Sequence, residues 1–255
     1  MDLIFISILE GLTEFLPVSS TAHLIIFSKL LNIDLTLPYT KFYLLVIQLG
    51  ALLAGATIFT KKIFSDKKLL TNLFISFIPS AILGFGLYKL FKTLLEGNIP
   101  LLALMLLIGG IIFIYLERYI IKSEIVFGKN DMTKTDALIV GLAQAVAIIP
   151  GVSRSGATII AGILRGIKKE VIIEYTFLLA LPTLGTAVAY DAYKSINLLT
   201  SLENYSSLFY GILVSFLTAF FTLYFIKKHI KNISLTAFGF YRIALSLIIL
   251  SLYLF

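Results

Sequence analysis

Apolar residues run almost unbroken through six stretches of the chain, at about 40–60, 69–91, 100–121, 172–192, 206–226 and 237–255. Each approaches the roughly 20 residues that an α-helix needs to cross the hydrocarbon core, so each predicts a membrane-spanning helix. Two further apolar segments depart from this pattern. Residues 3–31 are broken by Pro17 and a polar run, and residues 135–164 by Pro150-Gly151 and a second polar run. Proline ends or kinks a helix, which leaves each half too short to span. Both segments predict re-entrant hairpins, in which a helix enters, a polar turn lies at depth, and a helix returns to the same side. Irregular backbone at that depth is tolerated only where protein or a water-filled cavity covers it. The expected class is an all-α integral membrane protein, with six transmembrane helices plus two re-entrant helical hairpins.

The two broken segments resemble each other. Gly11-Leu12-Thr13-Glu14 aligns with Gly141-Leu142-Ala143-Gln144 at an offset of 130. After an insertion of three to four residues, Val18-Ser19-Ser20 aligns with Val152-Ser153-Arg154. Each half then reads hairpin, span, span, span. The expected organisation is a single membrane domain over 1–255, with repeat one at about 1–121 and repeat two at about 135–255.

Composition and charge refine this picture. The 255 residues are 59% hydrophobic, with a mean hydropathy of +1.00, far above a soluble domain. The net charge of +7 comes from 21 Lys and Arg against 14 Asp and Glu. In a membrane protein this points to basic cytoplasmic loops rather than to nucleic acid. Fifteen of the basic residues, Arg242 among them, are expected on one side. Lys29, Lys41, Lys89, Lys92 and Lys194 are expected on the other, and Arg154 falls within the second broken segment. If the richer side is cytoplasmic, the first hairpin enters from outside and the second from the cytoplasm. The repeats would then be inverted-topology repeats with their polar turns meeting near the midplane, and both termini would lie outside. Cysteine is absent, which excludes disulfide and thiolate chemistry. The start of the chain lacks a basic region and Glu10 interrupts its first apolar run, so no cleavable signal is expected.

The polar runs carry the candidate chemistry. Glu10 and Glu14 are spaced i, i+4 and share one helix face. Two buried carboxylates repel each other, and a hard divalent cation, Mg²⁺ or Ca²⁺, would relieve that while bridging to phosphate oxygens. Ser19, Ser20 and Thr21 fall where a second helix should begin, and helix N-termini attract anions. Their hydroxyls could bind phosphate, or one could attack phosphorus. His23 is the histidine within an apolar segment and could serve as acid, base or nucleophile. In the second run, glycines permit close backbone approach. Arg154 offers a planar fork of donors suited to phosphate, flanked by Ser153, Ser155 and Thr158. A purely structural Arg154 would need a carboxylate partner, for which Glu10 or Glu14 could serve. Gln48 and Gln144 are expected to support the site. Asp136 is expected at a helix start, and Gly84, Gly86, Gly109 and Gly110 are expected at close helix contacts.

Glu10-x-x-x-Glu14-Phe-Leu-Pro-Val-Ser-Ser-Thr-x-His23 and Pro150-Gly-x-Ser-Arg-Ser-Gly-Ala-Thr158 resemble the two signatures of the undecaprenyl-diphosphate phosphatases, also called bacitracin-resistance proteins. The resemblance covers almost the whole chain. It implies a membrane phosphatase that removes the terminal phosphate of a C55-type polyprenyl diphosphate, with a divalent cation, at a site open to the outer face. The product is the monophosphate lipid carrier of cell-wall glycan assembly. Matched to the motifs, Glu10 and Glu14 are the acidic pair that would also hold the metal. Ser20 and His23 are the nucleophile and proton-transfer residues in an order left open, and Arg154 with Ser153 and Ser155 is the phosphate clamp. Ala22 stands where the family usually has Gly, and Tyr43 where many members have Glu. The expected partners are the lipid substrate and membrane lipid, with no nucleic acid and a homodimer left open. The rival expectation is a polyprenyl-phosphate flippase or anion transporter built on the same inverted repeats.

Overall fold

The computed structural model describes residues 2–95, 98–122, 128–194 and 205–254. Side chains of 87–95 and 120–122, and so the expected placements of Lys89, Lys92 and Lys122, lie outside the described residues. The described chain is helical: α1 (Asp2–Thr13), α2 (Ser20–Leu30), α3 (Pro38–Ser65), α4 (Lys67–Leu95), α5 (Ile99–Lys122), α6 (Lys134–Ala145), α7 (Arg154–Leu164), α8 (Lys169–Lys194), α9 (Tyr205–His229) and α10 (Leu235–Leu254). Six of these, α3, α4, α5, α8, α9 and α10, contain windows long and apolar enough to cross a membrane. They coincide with the six apolar stretches read from the sequence.

The two broken segments form pairs of short helices. α1 and α6 have 12 residues each, and α2 and α7 have 11 each. The residue before α2 is Ser19, at φ 69°, and the residue before α7 is Ser153, at φ 70°. Positive φ is uncommon outside glycine and costs free energy. Each short helix also ends the same way. Asn32 and Gly166 adopt positive φ just past α2 and α7. Ile33 N–H then donates to Ser28 C=O at 2.8 Å and Ile167 N–H to Gly162 C=O at 3.0 Å. These are Schellman closures in matched positions.

Close packing is set by small residues. A Cβ on Gly11 of α1 would lie 2.8 Å from Ala219 N of α9, and one on Gly141 of α6 2.7 Å from Ser76 Cα of α4. The aligned glycines thus each press a short helix against a long one. Gly110 of α5 meets Gly239 of α10 in the same manner, whereas Gly84 and Gly86 face open space, contrary to the expectation for them. Phe15, within the first turn, is fully buried in the main apolar cluster, edge-on to Phe177 at 5.6 Å, and anchors that turn in the core.

Asp136 sits at a helix start, as expected. It forms a reciprocal capping box with Thr133 and pairs with Lys129 at 2.6 Å and Arg165 at 3.0 Å. It thereby ties the start of α6 to the end of α7. Burial alone would raise its pKa, but the hydrogen bonds from Lys129, Thr133 and Arg165 hold the carboxyl well below the usual carboxylate range. A depressed folded-state pKa adds stability that is complete above about pH 4 and disappears as pH falls through the depressed value. The melting temperature of the detergent-solubilised protein should therefore drop as the pH is lowered past about 4. Asp136→Asn should lower the melting temperature at pH 7, with the gap to wild type closing as the pH is taken towards 3.

Candidate functional site

The two polar turns face each other and line one cavity of about 410 Å³. Glu10, Glu14, Ser19, Ser20 and Thr21 border it from the first turn, and Gly151, Ser153, Arg154 and Ser155 from the second. Gln48 and Gln144, expected to support the site, also line it, with Ser80 of α4 and Thr183 of α8. Eight of the sequence-predicted site residues therefore converge on one space, although the two turns lie about 130 residues apart in the chain.

Local structure explains how each group is presented. Glu10 closes the last turn of α1 through the bond from Glu14 N–H to its carbonyl, at 3.0 Å. Glu14 follows the end of that helix and turns its carboxylate to two partners. Ser20 Oγ donates to Glu14 Oε2 at 2.5 Å, and Arg154 Nη2 donates to Oε1 at 3.4 Å. Ser20 is the first residue of α2 and Arg154 the first of α7, so both stand at helix N-termini, where backbone N–H groups lack intrahelical partners. Arg154 also donates from Nη1 to Thr176 C=O at 3.2 Å. The pairing of Arg154 with Glu14 shows a guanidinium held by a carboxylate across the two turns. Buried pairs of this kind add little net stability.

Several buried polar atoms have no partner among the described residues: both carboxylate oxygens of Glu10, Nε of Arg154 and Oε1 of Gln144. Unpaired buried polar atoms are costly and call for a ligand, an ion or water. The acceptor pair on Glu10 beside Glu14 suits a hard cation, and the donor left on Arg154 suits an anion. No group of three or more His, Cys, Asp and Glu gathers among the described residues. A cation there would fill its shell with the two carboxylates and non-protein oxygens, as Mg²⁺ commonly does. The acidic pair fits the expected metal on those terms.

Two predicted residues lie elsewhere. His23 is 1% exposed and does not border the cavity. Its Nδ1 is 2.8 Å from Ser19 C=O and its Nε2 is 2.6 Å from Tyr241 Oη. A carbonyl can only accept, so Nδ1 carries the proton and Nε2 accepts from the Tyr241 hydroxyl. Thr158 is also outside the lining, bonding Thr176 Oγ1 at 2.8 Å and so fixing α7 to α8.

Arg242 requires a correction. Counted above with the cytoplasmic loops, it is 1% exposed within α10 and donates to the carbonyls of Pro17 at 3.0 Å and Gly151 at 2.9 Å. A guanidinium in an apolar span is tolerated when backbone carbonyls surround it. Its solitary position in the run Leu235–Leu254 is the signal by which the sequence could have singled it out, as it singled out Arg154. Tyr241 carried no such mark, because tyrosine is common in this chain.

Residues 3–248 match the family described as bacitracin resistance protein BacA. The chain is 38% identical over 252 residues to the undecaprenyl-diphosphatase of Aquifex aeolicus, covering 99% of this chain and 98% of that protein. It is 40% identical to the undecaprenyl-diphosphatase of a Sulfurihydrogenibium species, covering 97% of each. With that of Wolinella succinogenes it is 42% identical, over 97% of this chain and 95% of the other. With six apolar helices of spanning length and a family match over almost its full extent, this chain is a multi-pass membrane protein that belongs to the bacitracin resistance protein BacA family.

Proposed function

We propose that this protein is an integral membrane phosphatase that hydrolyses undecaprenyl diphosphate, or a closely similar polyprenyl diphosphate, to the monophosphate and inorganic phosphate. It thereby recycles the lipid carrier for cell-envelope glycan synthesis and confers bacitracin resistance. One observation carries the reading: a hydroxyl bonded to a carboxylate, and a guanidinium paired to that same carboxylate, meet in one cavity at two helix N-termini. A transporter would need the anion clamp but not the adjacent nucleophile and acceptor.

In this reading Ser20 Oγ attacks the terminal phosphorus and its proton passes to Glu14 Oε2, 2.5 Å away. The bond from phosphorus to the bridging oxygen breaks, and the lipid monophosphate leaves with the electron pair. Glu14 gives that proton to the departing monophosphate oxygen; water then attacks the phosphoserine, Glu14 takes a proton from the water and passes it to Ser20 Oγ as the phosphorus–Oγ bond breaks, releasing phosphate and restoring Ser20. Arg154, Ser153 and the two helix N-termini hold the phosphoryl oxygens as charge develops, while Ser155, whose hydroxyl donates to Leu16 C=O, ties the second turn to the first. Glu10 and Glu14 would hold a Mg²⁺ or Ca²⁺ ion, which when bound supplies charge neutralisation and orientation to the diphosphate. His23 serves by bonding Ser19 C=O, which keeps the positive-φ turn before Ser20 in place. That assignment rests on its two partners and on its place behind Ser19, outside the cavity lining.

The topology belongs to the same proposal. Residues 2–30 and 134–164 are two re-entrant hairpins, and the halves at about 1–121 and 135–255 are inverted repeats. Support comes from the matched helix lengths, the paired serines at φ 69° and 70°, and the paired Schellman closures. The cavity opens to the outer face, and both termini lie outside. α8 supplies Thr183, Thr186 and Asp191 to the cavity on the way to its end at Lys194, on the side poor in basic residues. Removing Arg242 from the tally leaves fourteen basic residues against five, so the asymmetry behind that orientation stands.

Purified protein in detergent should release phosphate from C55 diphosphate with Mg²⁺ or Ca²⁺, and EDTA should stop it. Arg154→Ala should cost about 100-fold or more in kcat/KM. Absence of release from folded wild type under every metal condition would sink the reading. The role given to Ser20 has its own check. Ser20→Ala should lose at least about 1000-fold in kcat, while His23→Gln, which keeps a polar group beside Ser19, should stay within about tenfold of wild type. The opposite ranking would transfer the attack to His23.

A further inference from the structure

Arg242 lies midway along an apolar helix, and among the described residues it forms no ion pair. Its partners are carbonyl oxygens on three segments. Nη1 donates to Pro17 C=O at 3.0 Å. Nη2 donates to Gly151 C=O at 2.9 Å and Val152 C=O at 3.2 Å. Nη2 also reaches Met105 C=O at 3.2 Å, and Nε reaches Leu106 C=O at 3.4 Å, both on α5. One guanidinium therefore joins the first polar turn, the second polar turn and a spanning helix. Gly109 leaves the space for it, since a Cβ there would come within 2.8 Å of the Arg242 Cζ. The Phe113 ring lies 5.7 Å from that carbon.

The side chain does not border the cavity, so it works on the turns from behind. Peptide bonds in the described chain are trans, and a trans peptide points its N–H opposite to its C=O. Drawing the Pro17 and Val152 carbonyls to Arg242 therefore turns the Val18 and Ser153 N–H groups away from it. Ser19 lies two residues past Pro17 and Ser153 is two past Gly151 and one past Val152, and these serines are the pair held at positive φ. Strained backbone persists only where its surroundings over-determine it, and the guanidinium supplies bonds at both places. A lysine could not substitute, because a single ammonium on a flexible stem lacks the planar fork needed to reach separate carbonyls.

We propose that Arg242 is a positioning residue that brackets the two polar turns against each other and against α5, keeping the Arg154 clamp in register with Ser20. What the bracket aligns rests on the phosphatase reading, whereas the bracket itself does not.

The experiment compares wild type, Arg242→Lys, Gly109→Ala and Ser246→Ala in detergent. Ser246 is buried on α10 and bonds Ala103 C=O at 2.7 Å, so it contributes to the same helix pair but not to the turns. Amide hydrogen exchange is followed by mass spectrometry in segments 14–21 and 149–156, beside steady-state hydrolysis of C55 diphosphate. Arg242→Lys should speed exchange in both segments together by at least about tenfold. It should lower kcat by about 100-fold, as small misplacements of reacting groups do, with KM within about threefold. Gly109→Ala, which keeps the charge but displaces it, should give the same pattern. Ser246→Ala should lower the melting temperature while leaving kcat and turn exchange at wild-type values. Exchange that changes in only one turn, or in neither, overturns the bracket. So does a Ser246→Ala protein that loses kcat as Arg242→Lys does. An inactive wild type would sink the phosphatase reading alone, because turn exchange still decides the bracket.

Discussion

Backbone that leaves helical geometry inside an apolar bundle must find partners for its N–H and C=O groups, because no bulk water is there to supply them. This protein breaks its helices twice, at residues 14–19 and 149–153. The carbonyls freed by those breaks are collected by polar side chains from other segments. Ser155 Oγ takes Leu16 C=O at 3.0 Å, His23 takes Ser19 C=O, and Arg242 takes Pro17, Gly151 and Val152. With the carbonyls engaged away from the cavity, the helix N-termini that follow the breaks can present donors to an anion. The same constraint that makes broken helices expensive in an apolar environment thus leaves two helix N-termini facing the cavity, the geometry on which the proposed phosphate site is built.

Charge at the site is arranged as an incomplete set. Glu14 is shared between Ser20 and Arg154, while Glu10 and one edge of Arg154 are left without protein partners. Buried groups in that condition are destabilising in isolation, and a diphosphate with its counter-cation brings the missing donors and acceptors of both signs. Binding energy from such a ligand would then be spent on completing a network already held in place, which is the physical meaning of preorganisation. Gln144, which takes the position of Glu14 in the second half, gives its amide hydrogens to Ser80 and Thr183 and keeps its oxygen for the cavity. The two broken segments match in helix length and turn geometry and differ in charge, so that one side of the cavity is acidic and the other basic.

Much of this was legible in the sequence because the bilayer is an unforgiving solvent. Runs of apolar residues of spanning length need no tertiary information to be recognised, and six were found where six long helices lie. Polar residues inside apolar segments announce themselves for the same reason, and on that ground Glu10, Glu14, Ser20 and Arg154 stand out from the sequence alone. Glycines were less readable: Gly109 and Gly110 make close contacts while Gly84 and Gly86 make none, and composition does not distinguish the two cases.

By itself, the sequence determined which segments cross, where the two helices break, and which residue types gather at the breaks, since these depend on local hydropathy and on proline and glycine stereochemistry. Only the tertiary structure decided which way each polar group faces. His23 is one turn from Ser20, yet it turns to Ser19 and to Tyr241, a residue 218 positions away. Arg242 stands alone in an apolar run, but which carbonyls it serves is decided only when α10 is laid beside α5, and one of them lies 225 positions away in the chain. Periodicity assigns a residue to a face of its own helix, but the partner of that face comes from whichever helix packs across it. That choice is made by the whole bundle at once.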